Sequence, residues 1–426
     1  MSEPLNPNVL GLQPSATLAI NESSKAQIRS GRRVFKLGLG QSPFPVPDCV
    51  EQALKDHAGK KDYLSVQGYD PLRDAISCWH NRRQARKTKG QDVVIGPGSK
   101  ELIFLIQLVS GRQLTLPNPS WVSYAPQAVI LGRKTDWIET DFNSGWRIDP
   151  SRLDAVCAAG SEIPRLLILN YPNNPSGLTY SADELNAIAT VARRHNVVII
   201  SDEIYAELAY AGKHISISDY YPEGTIVCSG LSKWCGAGGW RLGYAVIPEA
   251  LHSIRDALCV VASETFTSVS APIQYAGLAA FDDNIELTHY VSRSRRLLQS
   301  LSQWLTHRLV SQNVSMHAPE GGFYAFPDFG FYEDAFLARG ISTSAELAKQ
   351  ILDDTGVAFL PGSCFGRPET EWTTRLSFVD FDGANALNEM ANLTMSNTLS
   401  IDHLYRLCEP TCQAIDALVH WLSELS

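Results

Sequence analysis

The sequence predicts an α/β protein, a mostly parallel sheet sandwiched by helices, followed by a smaller α+β domain. Three observations point there. The apolar runs 166–169, 197–200 and 225–228 each lead into a polar cluster, and strands apolar throughout are covered on both faces, as in a parallel sheet. Between the first two, Ser181 with Glu184 three residues on forms a capping box, and Leu185, Ile188 and Ala192 share one helical face. In residues 285–309, Leu287, Val291, Leu298, Leu301 and Leu305 recur at helical spacing, after which short strand-like runs alternate with helices. A chain of 426 residues exceeds what one hydrophobic core usually supports. The expected division is an arm at 1–35, a large domain at 36–280 and a small one at 281–426, the last joined by the segment near 36–45.

The elements follow in order. Residues 1–35 lack sustained periodicity and read as an arm that needs a partner surface to become ordered. Gly38, Gly40 and the prolines Pro43, Pro45 and Pro47 make the next piece an extended loop. A helical stretch around 50–56 precedes Tyr63 and Tyr69. Then Val93, Val94 and Ile95 run into Gly96, Pro97, Gly98, Ser99 and Lys100, with a helical pattern over 102–109. Strand, glycine turn and helix in that order put free backbone N–H groups at the positive end of a helix dipole, which suits a phosphate. A short strand at 113–116 ends near Trp121, whose ordinary reading is core.

The apolar runs deliver polar residues at their carboxyl ends, where ligands bind in open α/β sheets. They are Asn174 after the first, Asp202 and Tyr205 after the second, and Ser232 and Lys233 after the third. Each has an ordinary explanation alone: Asp202 as a helix N-cap, Asn174 before Pro175 as a turn starter, Tyr205 as packing. In the third, Lys233 is followed by Gly236, Gly238 and Gly239 and then by Arg241. A lysine that attacks a carbonyl must be neutral, which a dry or cationic setting favours, and an arginine among glycines can grip a phosphate. Beyond 320, runs at 322–326, 357–360 and 374–378 read as strands, 345–352 as a helix, and Ile415, Leu418, Val419 and Leu422 mark a C-terminal helix. Arg375 falls on an apparently alternating strand with Thr373 outward, either as a solvated sheet-face charge or as a fork for a carboxylate.

Composition narrows the partners. The chain is 44% apolar and 19% charged with a formal net charge of -9, and it has no basic run, which argues against nucleic acid. No apolar run reaches the length of a membrane span, and residues 1–30 lack a signal-peptide core, so a cytoplasmic location is expected. Nine scattered cysteines without a Cys-x-x-Cys pair suit a reducing compartment, and ten dispersed histidines give a metal site little support.

Together these residues resemble the fold type I pyridoxal phosphate enzymes, in the class I/II aminotransferase group that includes aspartate aminotransferase. The resemblance runs from about Lys36 to Phe378. It implies that Lys233 forms the Schiff base with pyridoxal 5'-phosphate and that Arg241, Gly98, Ser99, Lys100 and Ser232 hold the phosphate. It makes Asp202 the partner of the pyridine nitrogen, Tyr205 and Asn174 partners of the ring hydroxyl, and Trp121 the aromatic stacked on the ring. Arg375 then holds the substrate α-carboxylate beside the Gly40 backbone and Asn174, and Tyr63 reaches the phosphate of a neighbouring subunit, which implies a homodimer with shared active sites. The implied activity is ping-pong transfer of an amino group between an L-amino acid and a 2-oxo acid. A lyase or other Cα reaction on the same fold is the alternative, with a non-catalytic cofactor-binding regulator more remote. Two departures stand out: Gly230 falls where relatives often have a phosphate-binding serine, and the 40–44 loop differs from the usual pattern. Lys100 can instead meet an acidic substrate side chain or face solvent, while Phe44, Tyr69 and Tyr124 can line an aromatic or aliphatic pocket.

Overall fold

A computed structural model describes residues 5–85, 87–393 and 399–425. Seven strands form the large sheet: β1 (Val93–Gly96), β2 (Gln113–Asn118), β3 (Thr135–Glu139), β4 (Arg165–Asn170), β5 (Val198–Asp202), β6 (Thr225–Gly230) and β7 (Gly243–Val246). Their order is β1-β7-β6-β5-β4-β2-β3, with parallel pairs from β3 through β6 and antiparallel pairs on both sides of β7. Only β7 therefore runs against the rest, and the carboxyl ends of β1, β2, β4, β5 and β6 share one edge.

The apolar runs are buried on both faces because successive side chains alternate. Leu166, Ile168, Val198 and Ile200 pack with Leu102, Ile106 and Leu258 from the helices Ser99–Ser110 and His252–Ser263. Leu167, Leu169 and Ile199 pack with Leu153, Leu185 and Ile188 from the helices Pro150–Ala158 and Ala182–Arg194. The Ser181 and Glu184 capping box forms as the spacing predicts, satisfying two end groups of that second helix. Fully burying each of these leucines and isoleucines is worth roughly 1.5–3 kcal/mol, which fixes the sheet and hence its loaded edge.

Three further strands, β8 (Tyr324–Ala325), β9 (Leu360–Pro361) and β10 (Thr374–Ser377), form a small antiparallel sheet in the order β8-β10-β9. The N-terminal segment joins it: Phe35 bridges Val357, and the Ser377 N–H donates to the Leu37 carbonyl at 2.7 Å. The 26-residue helix Ile285–Val310 buries the five apolar residues its spacing predicts and packs on the helices Gly383–Ala391 and Glu409–Ser423.

Some elements differ from the sequence reading. The arm contains a 14-residue helix, Ala16–Arg29, and Ile20 packs against Gly38 and the cluster of Trp146, Leu178 and Phe326. Its own chain supplies part of the surface that the arm needs, while Leu18 and Ile28 stay exposed. Strand β3 is an edge strand of mixed polarity without the apolar run that marks its neighbours, and the short β7 starts directly after the glycine-rich turn, which masks where it begins. The expected alternation around Arg375 is wrong: Thr373, Thr374 and Arg375 are all buried, because both faces of this segment are covered, Arg375 by the Tyr324 and Phe365 rings and the Gly38 carbonyl. The sheet-face alternative for Arg375 falls with it. Among the described residues, no helix is long and apolar enough to cross a membrane, and no cluster of His, Cys, Asp and Glu suits a metal.

Candidate active site

Asp202 ends β5 and is 3% exposed. Its carboxylate accepts a 2.6 Å hydrogen bond from the Tyr124 hydroxyl and a 3.3 Å bond from the Ile204 N–H. Burial pushes its pKa up to about 6 against these two bonds and the nearby charge of Lys233. Burial, then Asp202 itself, drives the Tyr124 phenol well above its ordinary range, so Tyr124 stays a donor. Tyr124, one of three candidates for lining a side-chain pocket, bonds to Asp202. Of the other two candidates, Phe44 packs against Tyr290 and Phe381, and Tyr69 stacks on Tyr275 at 4.3 Å. Glu203, the next residue, turns to Ser201, Ser216 and His214. A cavity of about 360 Å³ beside it, lined by Arg83, His214 and Arg295 among others, includes none of the residues gathered around Lys233.

Lys233 lies in the turn after β6 and is half-buried. Its Nζ donates to the Gly40 carbonyl at 2.7 Å and stands 5.6 Å and 5.7 Å from the ring centroids of Tyr205 and Phe323. The Gly40 loop and the β6 end thus meet across 193 residues of chain.

Beside them is a cradle of backbone N–H groups and guanidinium. Gly98 is the N-cap of the helix Ser99–Ser110 with φ 95°, so it offers the first turn no side-chain cap. Arg241, itself in the left-handed region at φ 56°, folds back so that its guanidinium donates to the Pro97 and Gly238 carbonyls at 3.1 Å and 2.8 Å. A Cβ on Gly98 would lie 2.1 Å from Arg241 Nη2, and one on Gly243 would lie 2.3 Å from the Ser99 nitrogen. These glycines let an arginine and a helix N-terminus face the same space, which is the donor set an anion needs. Ser232, half-buried, shares the turn with Gly238. Gly230 has no room for a side chain: its Cβ would lie 2.6 Å from the Leu242 carbonyl, where β6 pairs with β7. Lys100 reaches over the Trp121 ring at 5.0 Å, and Trp121 meets Tyr124 edge-on. Its side chain is exposed, yet desolvation, then the charges of Arg241 and Lys233, press its pKa below the usual lysine range.

Arg375 is 1% exposed. Its Nη2 donates to the Gly38 carbonyl at 2.6 Å and its Nη1 to Asn174 Oδ1 at 3.3 Å, with the Tyr324 and Phe365 ring centroids 4.7 Å and 5.2 Å away. Its Nε has no hydrogen-bond partner. A buried cation with an unused donor and no neighbouring carboxylate among the described residues calls for an anionic ligand. Tyr205 Oη lies 3.0 Å from Tyr324 Oη, which is also 3.4 Å from the Gly40 carbonyl. Lys233, Tyr205, Asn174, Arg375 and Gly40 are therefore one connected group, and Asp202 joins it through the field of Lys233. Tyr63 does not belong to it within one chain; it is 88% exposed. Tyr324, on the two-residue strand β8, and Phe365, at the end of the short helical turn Gly362–Phe365, escaped sequence reasoning because aromatic residues in such short elements read as core.

Comparison with known proteins gives a consistent picture. The aminotransferase class I and II family matches residues 32–385. Aspartate aminotransferase of Geobacillus stearothermophilus is 32% identical over 380 residues, covering 87% of this chain and 93% of that protein. Asparagine–oxo-acid transaminase of Streptococcus mutans is 30% identical over 392 residues, with 88% and 94% covered. The solved aspartate aminotransferase from Thermus thermophilus with maleate superposes with a TM-score of 0.83 at 26% identity, covering 98% of this chain and all of that one.

Proposed function

Because the chain belongs to the class I and II aminotransferase family and is an aminotransferase, we propose that the residues around Lys233 bind pyridoxal 5'-phosphate and move an amino group between an acidic L-amino acid and a 2-oxo acid. The observation that carries the reading is the convergence, on one sheet edge, of an amine, a buried carboxylate, an anion cradle and a buried arginine with a free donor. The bound cofactor supplies the electron sink for the pair released when the substrate Cα–H bond breaks, and it carries the nitrogen between half-reactions.

The chain's residues do the rest. Arg241, Ser232 and the N–H groups at Gly98, Ser99 and Lys100 would hold the phosphate, and Trp121 would cover one ring face. Asp202 holds a proton at the ring nitrogen, while Tyr124 keeps that carboxylate oriented. Tyr205 and Asn174 face the ring oxygen. Lys233 would anchor the cofactor through its amine and would move the proton at Cα. Arg375 fixes the substrate carboxylate beside Gly40, which orients the Cα–H bond. Lys100 adds a third cation beside Arg241 and Lys233, which favours an acidic substrate side chain, and relatives that bear aspartate in their names support that choice. The exposure of Tyr63 supports a role across a dimer contact, where it would reach the partner's phosphate.

The test is to add pyridoxal phosphate and titrate single amino acids against the visible absorption. Aspartate or glutamate should bleach the band and a 2-oxo acid restore it, with aromatic amino acids at least tenfold weaker. Release of ammonia in place of recovery would point to a lyase.

The pH dependence of loading has a definite sign. Asp202 must be ionised to face a protonated ring nitrogen, and its pKa in the cofactor-free protein is about 6. As pH falls from 7 to 5 its ionised fraction drops to roughly one tenth, so this group alone weakens loading about tenfold. The phosphate also titrates near pH 6, so Asp202→Asn is the control: weaker loading at pH 7 and a shallower slope. For folding the sign is opposite. A carboxyl whose pKa is raised in the fold costs stability as pH rises from about 4 to about 6, and Asp202→Asn should remove that loss from acid melting curves.

A further inference from the structure

Tyr324 joins three functional groups at once. Its hydroxyl lies 3.0 Å from the Tyr205 hydroxyl and 3.4 Å from the Gly40 carbonyl, and its ring carries the Arg375 guanidinium at 4.7 Å. A Cβ on Gly40 would lie 1.8 Å from Tyr324 Oη, so loop and hydroxyl are fitted to each other. From this we infer that Tyr324 is a positioning residue: it donates its proton to the Tyr205 oxygen, so that Tyr205 spends its own proton on the phenolic oxygen of the cofactor.

A phenol has one proton and two acceptor sites. Two acceptors compete for the proton of Tyr324. The Gly40 carbonyl is the poorer choice, since it lies farther off, at 3.4 Å against 3.0 Å for the Tyr205 oxygen. The Tyr205 oxygen lies within ordinary O–H···O range. Once Tyr205 donates to the cofactor, its oxygen needs a donor, and Tyr324 is the hydroxyl bonded to it among the described residues. The order Tyr324 to Tyr205 to oxyanion makes each bond strengthen the next. With the Tyr324 hydroxyl gone, Tyr205 becomes a weaker donor. The cofactor oxygen is then more basic, and the chromophore keeps its proton to higher pH. The ring, meanwhile, still carries Arg375, so substrate anchoring survives. One side chain thus serves both ends of the site through separable parts.

The inference rests on the reading that Tyr205 faces the ring oxygen, and the experiment separates the two. The wild type, Tyr324→Phe and Tyr205→Phe are loaded with pyridoxal phosphate, and the pH midpoint of the visible absorption change is recorded for each, with KM and kcat alongside. Tyr205→Phe should raise the midpoint by a unit or more. Tyr324→Phe should raise it by about half to one unit, the scale of one neutral hydrogen bond, with kcat lowered and KM within about threefold. Tyr324→Leu, which also removes the ring, should raise KM at least tenfold. If Tyr205→Phe moves the midpoint and Tyr324→Phe leaves it unchanged or lowers it, the relay is wrong. If neither moves it, the placement of Tyr205 is wrong and the relay falls with it.

Discussion

Lys233→Ala is expected to lower the transamination rate by at least about 10⁴-fold and to leave the fold in place. Two losses combine in that number. Removing a positioned proton carrier costs roughly 10²–10⁴ alone, and in the proposed role the same amine is the covalent anchor, so the variant would also lose the geometry the anchor provides. The structural cost is small by comparison. Lys233 is half-buried with one hydrogen bond, to the Gly40 carbonyl at 2.7 Å, and a single neutral acceptor left to water costs on the order of 1 kcal/mol. Melting temperature should therefore shift by only a few degrees. Pyridoxal phosphate should still bind through Arg241 and the Gly98 turn, since neither depends on Lys233 for its position. The check is a single-turnover assay with aspartate, with and without added methylamine. A partial recovery with the small amine would locate the loss in proton transfer. A rate within tenfold of the parent would remove Lys233 from the chemistry.

How much of this was legible in the chain differs by residue, for physical reasons. The strands that carry Asn174, Asp202 and Lys233 are central and buried on both faces, so they announce themselves as apolar runs, and their chemistry follows directly after them. The capping box at Ser181 and the helix Ile285–Val310 were equally plain, since local hydrogen bonding and a period of 3.6 act within one segment. Strand β3 was missed because an edge strand of mixed polarity carries no such run, and β7 because it follows straight on from the glycine turn. Tyr124 illustrates a different limit. Its bond to Asp202 spans 78 residues, and nothing near residue 124 distinguishes a tyrosine that orients a carboxylate from one that lines a pocket. Arg375 was recognised as a candidate fork, but its alternating strand was an error that only the packing of β8, β9 and β10 corrects. Tyr324 needed the approach of two loops and two strands. Contacts distant in sequence follow from the whole fold.

Arg375→Leu should separate function from stability in a way few buried substitutions do. The guanidinium is 1% exposed, it pairs with no carboxylate among the described residues, and burial holds its pKa below the arginine range. Its hydrogen bonds go to Gly38 O and Asn174 Oδ1, and its Nε has none. Burying a charge under those terms costs the folded state several kcal/mol, which two neutral acceptors and two aromatic faces offset only in part. Replacing such a charge with an apolar side chain of smaller volume removes that cost but leaves a gap and two unused acceptors, each worth about 1–3 kcal/mol. The opposing terms are of similar size, so melting temperature should stay level or rise. Activity should go the other way. Losing a buried, bidentate partner for a carboxylate typically costs 2–5 kcal/mol, which corresponds to a fall in kcat/KM of about 10²–10⁴-fold. Most of it should appear with every amino acid alike, since all present the same α-carboxylate. The measurements are kcat/KM for three unlike amino acids and a thermal melt of the cofactor-free protein. A melting temperature lower by ten degrees with activity nearly intact would make Arg375 a structural residue. A loss confined to acidic amino acids would instead assign it to the side-chain end of the substrate.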